Sequence, residues 1–207
     1  MAQITTGIRS ILSHAAIYNF VQLILGAEKA RRILVQDFFP KAFTFRMLDI
    51  GCGTAEILRH LPKGIHYTGF DASETYIHQA QKRFGQRGDF YAERITKKTL
   101  PHLGSFDLIL AFGLLHHLSD DEALALFETA HQVLASGGRL LTIDPCFMSD
   151  QHDLARWLIC KDRGQNIRTP EQYAALANRH FSHVKSTVRQ DMLYIPYTHL
   201  ILECGKP

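Results

Sequence analysis

Apolar positions along this chain fall into two rhythms. Ala30, Ile33, Leu34 and Phe38 recur every three or four residues until Phe39-Pro40 ends the run, which predicts a helix. Upstream, the 18 residues from Ser10 to Ala27 carry no charge, close to the ~20 apolar residues of a membrane span. Ser13, His14, Asn19 and Gln22 interrupt them, and Ile17, Phe20, Val21 and Ile24 share one helical face. That is the pattern of an amphipathic helix rather than of a span or a secretory leader. With Gly26 as the break between the two, residues 1 to 42 are expected to form an N-terminal helical extension.

From Phe45 onward, short apolar runs alternate with helical periods, predicting an α/β domain over 43–207 with helices on both faces of its sheet. Strands are expected near 46–51, 66–71, 89–94, 106–112 and 139–144. Two more, near 183–190 and 197–204, close the sheet as a hairpin around Tyr194-Ile195-Pro196, so that the final strand runs antiparallel in a mostly parallel seven-stranded sheet. Ser73 opens one intervening helix, and Ser119-Asp120-Asp121-Glu122 has the form of a capping box ahead of another. Ser136-Gly137-Gly138 turns the chain back into a strand. An insert near 146–181 holds a helix around Leu154, Trp157 and Leu158, a loop from Arg163 to Arg168, and a second helix start at Thr169-Pro170.

Composition narrows the function classes. A net charge of +3, with 23 Lys and Arg spread along 207 residues, offers no concentrated footprint for nucleic acid. The four cysteines, Cys52, Cys146, Cys160 and Cys204, include no CxxC pair, which fits reduced thiols in the cytoplasm rather than a zinc framework or disulfides.

Chemistry-bearing residues gather at the predicted carboxyl ends of the strands, where open α/β sheets bind ligands. Gly51 and Gly53 permit a tight turn after the first strand, and Asp49 just before them suits an ammonium group. A dinucleotide loop requires glycine or alanine where this chain has Glu56, although Asp71, 20 residues after Gly51, suits the ribose hydroxyls of either a nicotinamide or a sulfonium cofactor. His116 and His117 follow the fourth strand. As adjacent side chains they are expected to diverge, so no metal site is predicted from them.

The stretches LDIGCGTAEIL, YTGFDAS, FYAERI, FDLILAFGLLHHL and LASGGRLLTIDP occur in this order between about Arg46 and Pro145. Together they resemble the motifs of the class I S-adenosylmethionine-dependent methyltransferases, which have a Rossmann-like sheet. The resemblance implies S-adenosylmethionine as cofactor, S-adenosylhomocysteine as product and no metal. It places Asp49, Gly51, Cys52 and Gly53 at the methionine part, Asp71 and Ala72 at the ribose, Ala92 and Glu93 at the adenine, and Phe112 and Gly113 beside the methyl donor. Ala55 departs from the glycine common in the family, and Glu93 from an aspartate.

The same resemblance implies a small-molecule acceptor methylated on oxygen, nitrogen or activated carbon. His117 is then the expected general base, with His116 the less favoured one, while Tyr18, Arg163, Arg168, Tyr194 and Tyr197 are candidate acceptor contacts. N-terminal helices in this family often act as a lid. Two alternatives share the fold: a nicotinamide-dependent oxidoreductase, and a non-catalytic cofactor-binding module that works through a partner.

Overall fold

The computed structural model describes residues 26–96, 99 and 102–207. The amphipathic segment predicted before Gly26, including Tyr18, lies outside the described residues. Gly26, with φ 98°, caps the N-terminus of helix α1 (Ala27–Phe38), which buries Ala27, Ala30, Leu34 and Phe38. The predicted break therefore falls at the helix start, where a left-handed residue favours glycine.

Seven strands follow: β1 (Arg46–Ile50), β2 (His66–Phe70), β3 (Gly88–Tyr91), β4 (Phe106–Phe112), β5 (Leu134–Pro145), β6 (His183–Arg189) and β7 (His199–Gly205). Their order is β3-β2-β1-β4-β5-β7-β6. The first five pair in parallel, and β7 runs antiparallel to both β5 and β6. The strand reversal between β2-β1 and β1-β4 opens a crevice at the carboxyl ends, the place where such sheets take ligands.

Alternate strand residues serve two cores. Leu48, Ile50, Ile109, Ala111, Leu140, Leu200 and Leu202 pack with helices α3 (Asp120–Val133) and α5 (Pro170–Ala177). Met47, Leu108, Leu110, Leu141, Ile143 and Ile201 pack on the other face with α1 and α2 (Glu74–Phe84). Because successive side chains of a strand point to opposite faces, runs such as Leu108-Ile109-Leu110-Ala111 feed both cores at once. A helix α4 (Asp153–Cys160) lies in the insert.

The helix starts predicted from sequence are made by the expected groups. Ser73 Oγ accepts from Tyr76 N, and Ser119–Glu122 and Thr169–Gln172 close reciprocal capping boxes. Differences arise where geometry overrides periodicity. The segment after the glycine loop is a five-residue 3-10 turn, Glu56–His60, not an α-helix. Pro62 leaves it no length to grow, and the Arg87 guanidinium donates to the carbonyls of Leu58, Leu61 and Pro62 at its end. Strand β5 begins already at Leu134, because 135–138 form a bulge opposite the Phe106–Leu108 step, with Gly137 at φ 73°.

Candidate active site

β1 delivers Asp49 to the crevice almost fully buried, at 3% exposure. Its Oδ2 accepts from the Tyr67 hydroxyl at 2.7 Å, while Oδ1 is buried without a partner. Burial pushes its carboxyl up to about 7, although Tyr67 and the nearby Arg31 work the other way. Beyond it the loop adopts left-handed conformations at Gly51 (φ 77°), Gly53 (φ 55°) and Ala55 (φ 55°). The family's usual glycine at the last position has its reason here, since a Cβ in the left-handed region costs roughly 1–2 kcal/mol.

Asp71, just past β2, locks this loop from the far side. Its Oδ2 accepts from Gly53 N at 2.9 Å and its Oδ1 from Ser73 N at 2.8 Å. A carboxylate has about four acceptor directions, so two remain beside the loop. Ala72 is exposed there. Cys52 points back into the sheet, in the space left by the missing Cβ of Gly69, where its sulfur would lie 2.9 Å from one. Glu56 turns away from the loop to ion pairs with Arg59 at 2.5 Å and with Arg83.

Ala92 and Glu93 stand exposed just beyond β3, which ends at Tyr91. Phe112 and the left-handed Gly113 are half-buried at the end of β4, with the Arg31 guanidinium 5.9 Å from the Phe112 ring centre. Helix α1 thus brings a cation to the mouth of the crevice near Asp49. Among the described residues, the expected cofactor set lies around one crevice.

The histidine pair sits in a 3-10 turn, Leu115–His117, after β4. His116 Nδ1 lies 2.7 Å from Asp144 Oδ1, which also accepts from the His116 backbone N–H at 3.1 Å. His116 Nε2 stands 3.4 Å from Asp162 Oδ1. Burial works against charge on this ring, yet the two carboxylates prevail and raise it to about 9. Burial raises Asp144; Asp162, despite its own burial, is held below the usual carboxylate range by His116, Gly164 N–H and Tyr197.

His117 is 9% exposed, and its Nδ1 is buried without a partner. Burial, then the neighbouring His116 charge, lowers it to about 4, so it is neutral near pH 7. The expectation that adjacent histidines diverge is corrected by the structure: the tight turn holds their ring centres 4.0 Å apart.

The expected acceptor contacts separate. Arg163 lies close enough to His117 and Tyr76 to affect both. Tyr197 donates to Asp162 Oδ2 at 2.9 Å. Tyr194 is 69% exposed and rests on Gly26 and Lys29 of α1. Arg168 is 7% exposed and spends all five N–H donors inside the protein, on Asp120 Oδ1 twice and on the carbonyls of Leu115, Leu118 and Asn166. No donor of Arg168 remains for an acceptor; it ties the insert to the loop that carries the histidines.

Three residues take roles in the site that the sequence did not show. Tyr67 reaches Asp49 from the neighbouring strand, two places before Gly69, the residue paired with Asp49. Asp144 and Asp162 clamp His116 from distant points of the chain. A local signal did exist for Asp162, because an Asp two places before a Gly often closes a side-chain turn, as it does here with Gly164 N at 2.8 Å.

A methyltransferase-domain family profile matches residues 48–140, the span from β1 into β5 that carries this crevice. That span carries a methyltransferase domain, in a sheet with the fold of the class I S-adenosylmethionine-dependent methyltransferases. It is 30% identical over 153 residues to phosphoethanolamine N-methyltransferase 1 of Zea mays, covering 70% of this chain and 30% of that protein. The chain spans 28% to 40% of the length of the curated relatives it matches. Among solved structures, the pyocyanin biosynthetic protein PhzM superposes with a TM-score of 0.73 at 17% identity, over 98% of this chain and 62% of that one. Human N-acetylserotonin methyltransferase, solved with its S-adenosylmethionine, gives 0.69 at 17% identity, over 99% and 60%. At these identities the structures share the fold. No helix among the described residues is long and apolar enough to cross a membrane.

Proposed function

We propose that this chain transfers a methyl group from S-adenosylmethionine to a small-molecule acceptor. The observation that carries the reading is the buried, partnerless Asp49 Oδ1 beneath a loop opened by two left-handed glycines and fastened by Asp71. A buried carboxylate oxygen without a donor suits the ammonium of the methionine part, and the remaining acceptor directions of Asp71 suit a ribose diol. Gly51, Cys52, Gly53 and Ala72 line the path between them. Ala92 and the exposed Glu93 are assigned to the adenine edge, and Phe112 and Gly113 to the sulfonium. Arg31 and the rest of α1 close the pocket as the described part of a lid.

When bound, the cofactor supplies an electrophilic methyl on a sulfonium. Such a displacement needs the nucleophile held in line more than it needs proton chemistry. We assign that task to the side of the crevice built by His116, His117, Arg163 and Tyr197. A cavity of about 370 Å³ adjoins it, lined by Leu193, Tyr194, Pro196 and Tyr197 among others, and its size suits a small molecule. Four unpaired cysteines fit a reducing compartment, and we place the protein in the cytoplasm.

Calorimetric titration tests the donor. S-adenosylmethionine and S-adenosylhomocysteine are expected to bind, NADH not, and Asp71→Ala to weaken binding at least tenfold. Absence of binding to folded protein overturns the proposal, and NADH binding would favour the oxidoreductase reading. A methyl-donor assay over pooled acceptors, run beside His117→Ala, then locates the acceptor side: the variant should lose rate while keeping its cofactor affinity.

A further inference from the structure

Where the loop after β4 meets the insert, one ligand atom from each of His116, His117 and Asp162 lies within 4.8 Å of the others. The 3.4 Å between His116 Nε2 and Asp162 Oδ1 is long for a charge-assisted hydrogen bond, which runs at about 2.7–2.9 Å. It matches the roughly 3.3 Å that separates two ligands each ~2.0–2.1 Å from a tetrahedral ion.

The surroundings are those of a metal's outer shell. Asp144 holds His116 Nδ1 at 2.7 Å, which fixes the tautomer that presents Nε2 inward, and the Tyr197 hydroxyl orients Asp162 at 2.9 Å. His117 Nδ1 is buried without any partner. Gly164 lies so close that a Cβ there would stand 2.1 Å from the His116 ring, so the loop carrying Asp162 is pressed onto its partner.

We propose that His116, His117 and Asp162 form a binding site for a first-row divalent transition-metal ion of the zinc class. Two imidazoles and one carboxylate suit such an ion better than magnesium or calcium, which take oxygen ligands. Charge agrees. Asp144 and Asp162 bring two negative charges into a buried cluster; one imidazolium cancels one of them, whereas a divalent ion over neutral imidazoles cancels both. Arg163, beside His117, opposes a cation there, but one guanidinium is outweighed by two carboxylates. With its ligand atoms spread over as much as 4.8 Å, the site closes by a small swing of His117. Three protein ligands leave a fourth position open, on the side assigned to the acceptor. The site stands apart from the donor reading, because metal and cofactor use different residues.

The test uses untagged full-length protein stripped with a chelator and titrated with Zn²⁺ against a chromophoric competitor, then with Co²⁺ followed by its visible absorption. One equivalent should bind, with an intense tetrahedral-type Co²⁺ band. Asp162→Asn and His117→Ala should each weaken binding at least tenfold, and Asp144→Asn about 10- to 100-fold through the outer shell. Cys160→Ser should leave it unchanged. Circular dichroism and S-adenosylhomocysteine titration of each variant show whether the fold and donor pocket persist. Absence of stoichiometric binding, or parental affinity retained in the Asp162→Asn and His117→Ala proteins, overturns the proposal. Metal binding without cofactor binding would retain the site and remove the donor reading, and the converse would do the opposite.

Discussion

Asp49 couples the donor pocket to pH. Its carboxyl is raised to about 7 by burial, so the folded protein holds a proton that the unfolded chain releases near 3.8. Folding is therefore opposed progressively as pH rises from about 4 through 7, where the buried group must ionise. A ligand ammonium reverses the preference, because it pairs with the ionised form. Cofactor affinity should rise between pH 6 and 7.5, then fall as the cofactor's own amine, with a pKa near ~8, loses its proton. Titrations across this range with Asp49→Asn should lose the acid limb; an identical limb in the variant assigns it elsewhere.

Arg168 offers a stability prediction at the same scale. Its five donors meet four carbonyl or carboxylate groups with 7% of the residue exposed, and its guanidinium lies 5.4 Å from the centre of the Tyr173 ring. Arg168→Ala strands the carbonyls of Leu115 and Leu118 and should cost about 1–3 kcal/mol, measured by urea denaturation. Arg168→Lys should recover only part of that, since one ammonium cannot reproduce the planar fork. A variant as stable as the parent would contradict the structural role.

Among the elements, what was legible in the sequence was what is encoded locally. Strand cores, the Ser119 capping box, the Thr169-Pro170 helix start and the Ser73 cap depend on residues within a few positions of one another, and the structure places them as expected. The 3-10 turn after the glycine loop was not legible, because it depends on Pro62 together with Arg87 reaching from beyond α2. The clamp on His116 was hidden for the same reason: Asp144 and Asp162 meet it only after the sheet and insert assemble. Arg168 read as an acceptor contact because its charge was visible in the sequence and its four partners were not.

That assembly is testable at Gly164. Even the methyl of Gly164→Ala would meet the His116 ring at 2.1 Å and the His116 carbonyl oxygen at 2.7 Å, so the insert loop must lift. Methyl transfer should fall at least tenfold while S-adenosylhomocysteine affinity changes less than threefold, because the donor loop lies elsewhere. Loss of both together would mean that the loop supports the whole crevice.

For the whole molecule, the two sides of the crevice are joined through one sheet, and the proposed donor pocket draws on four elements of the fold's N-terminal half: α1 through Arg31, β1 through Asp49, β2 through Asp71 and β4 through Phe112. A ligand that bridges them binds the folded state alone. At 100 times its Kd it should stabilise the protein by about 2.7 kcal/mol. For a domain of this size, 1 kcal/mol moves Tm by about 2–4 °C. Saturating S-adenosylhomocysteine should therefore raise Tm by about 5–11 °C in a thermal scan. Asp71→Ala should abolish most of that rise, since the same carboxylate fastens Gly53 and is the one assigned to the ribose. The metal site predicts a second, separable increment: Zn²⁺ should raise Tm in the Asp71→Ala protein as much as in the parent, and not in Asp162→Asn. If the two increments vanished together in either variant, donor and acceptor sides would have to be one cooperative unit rather than two sites sharing a sheet.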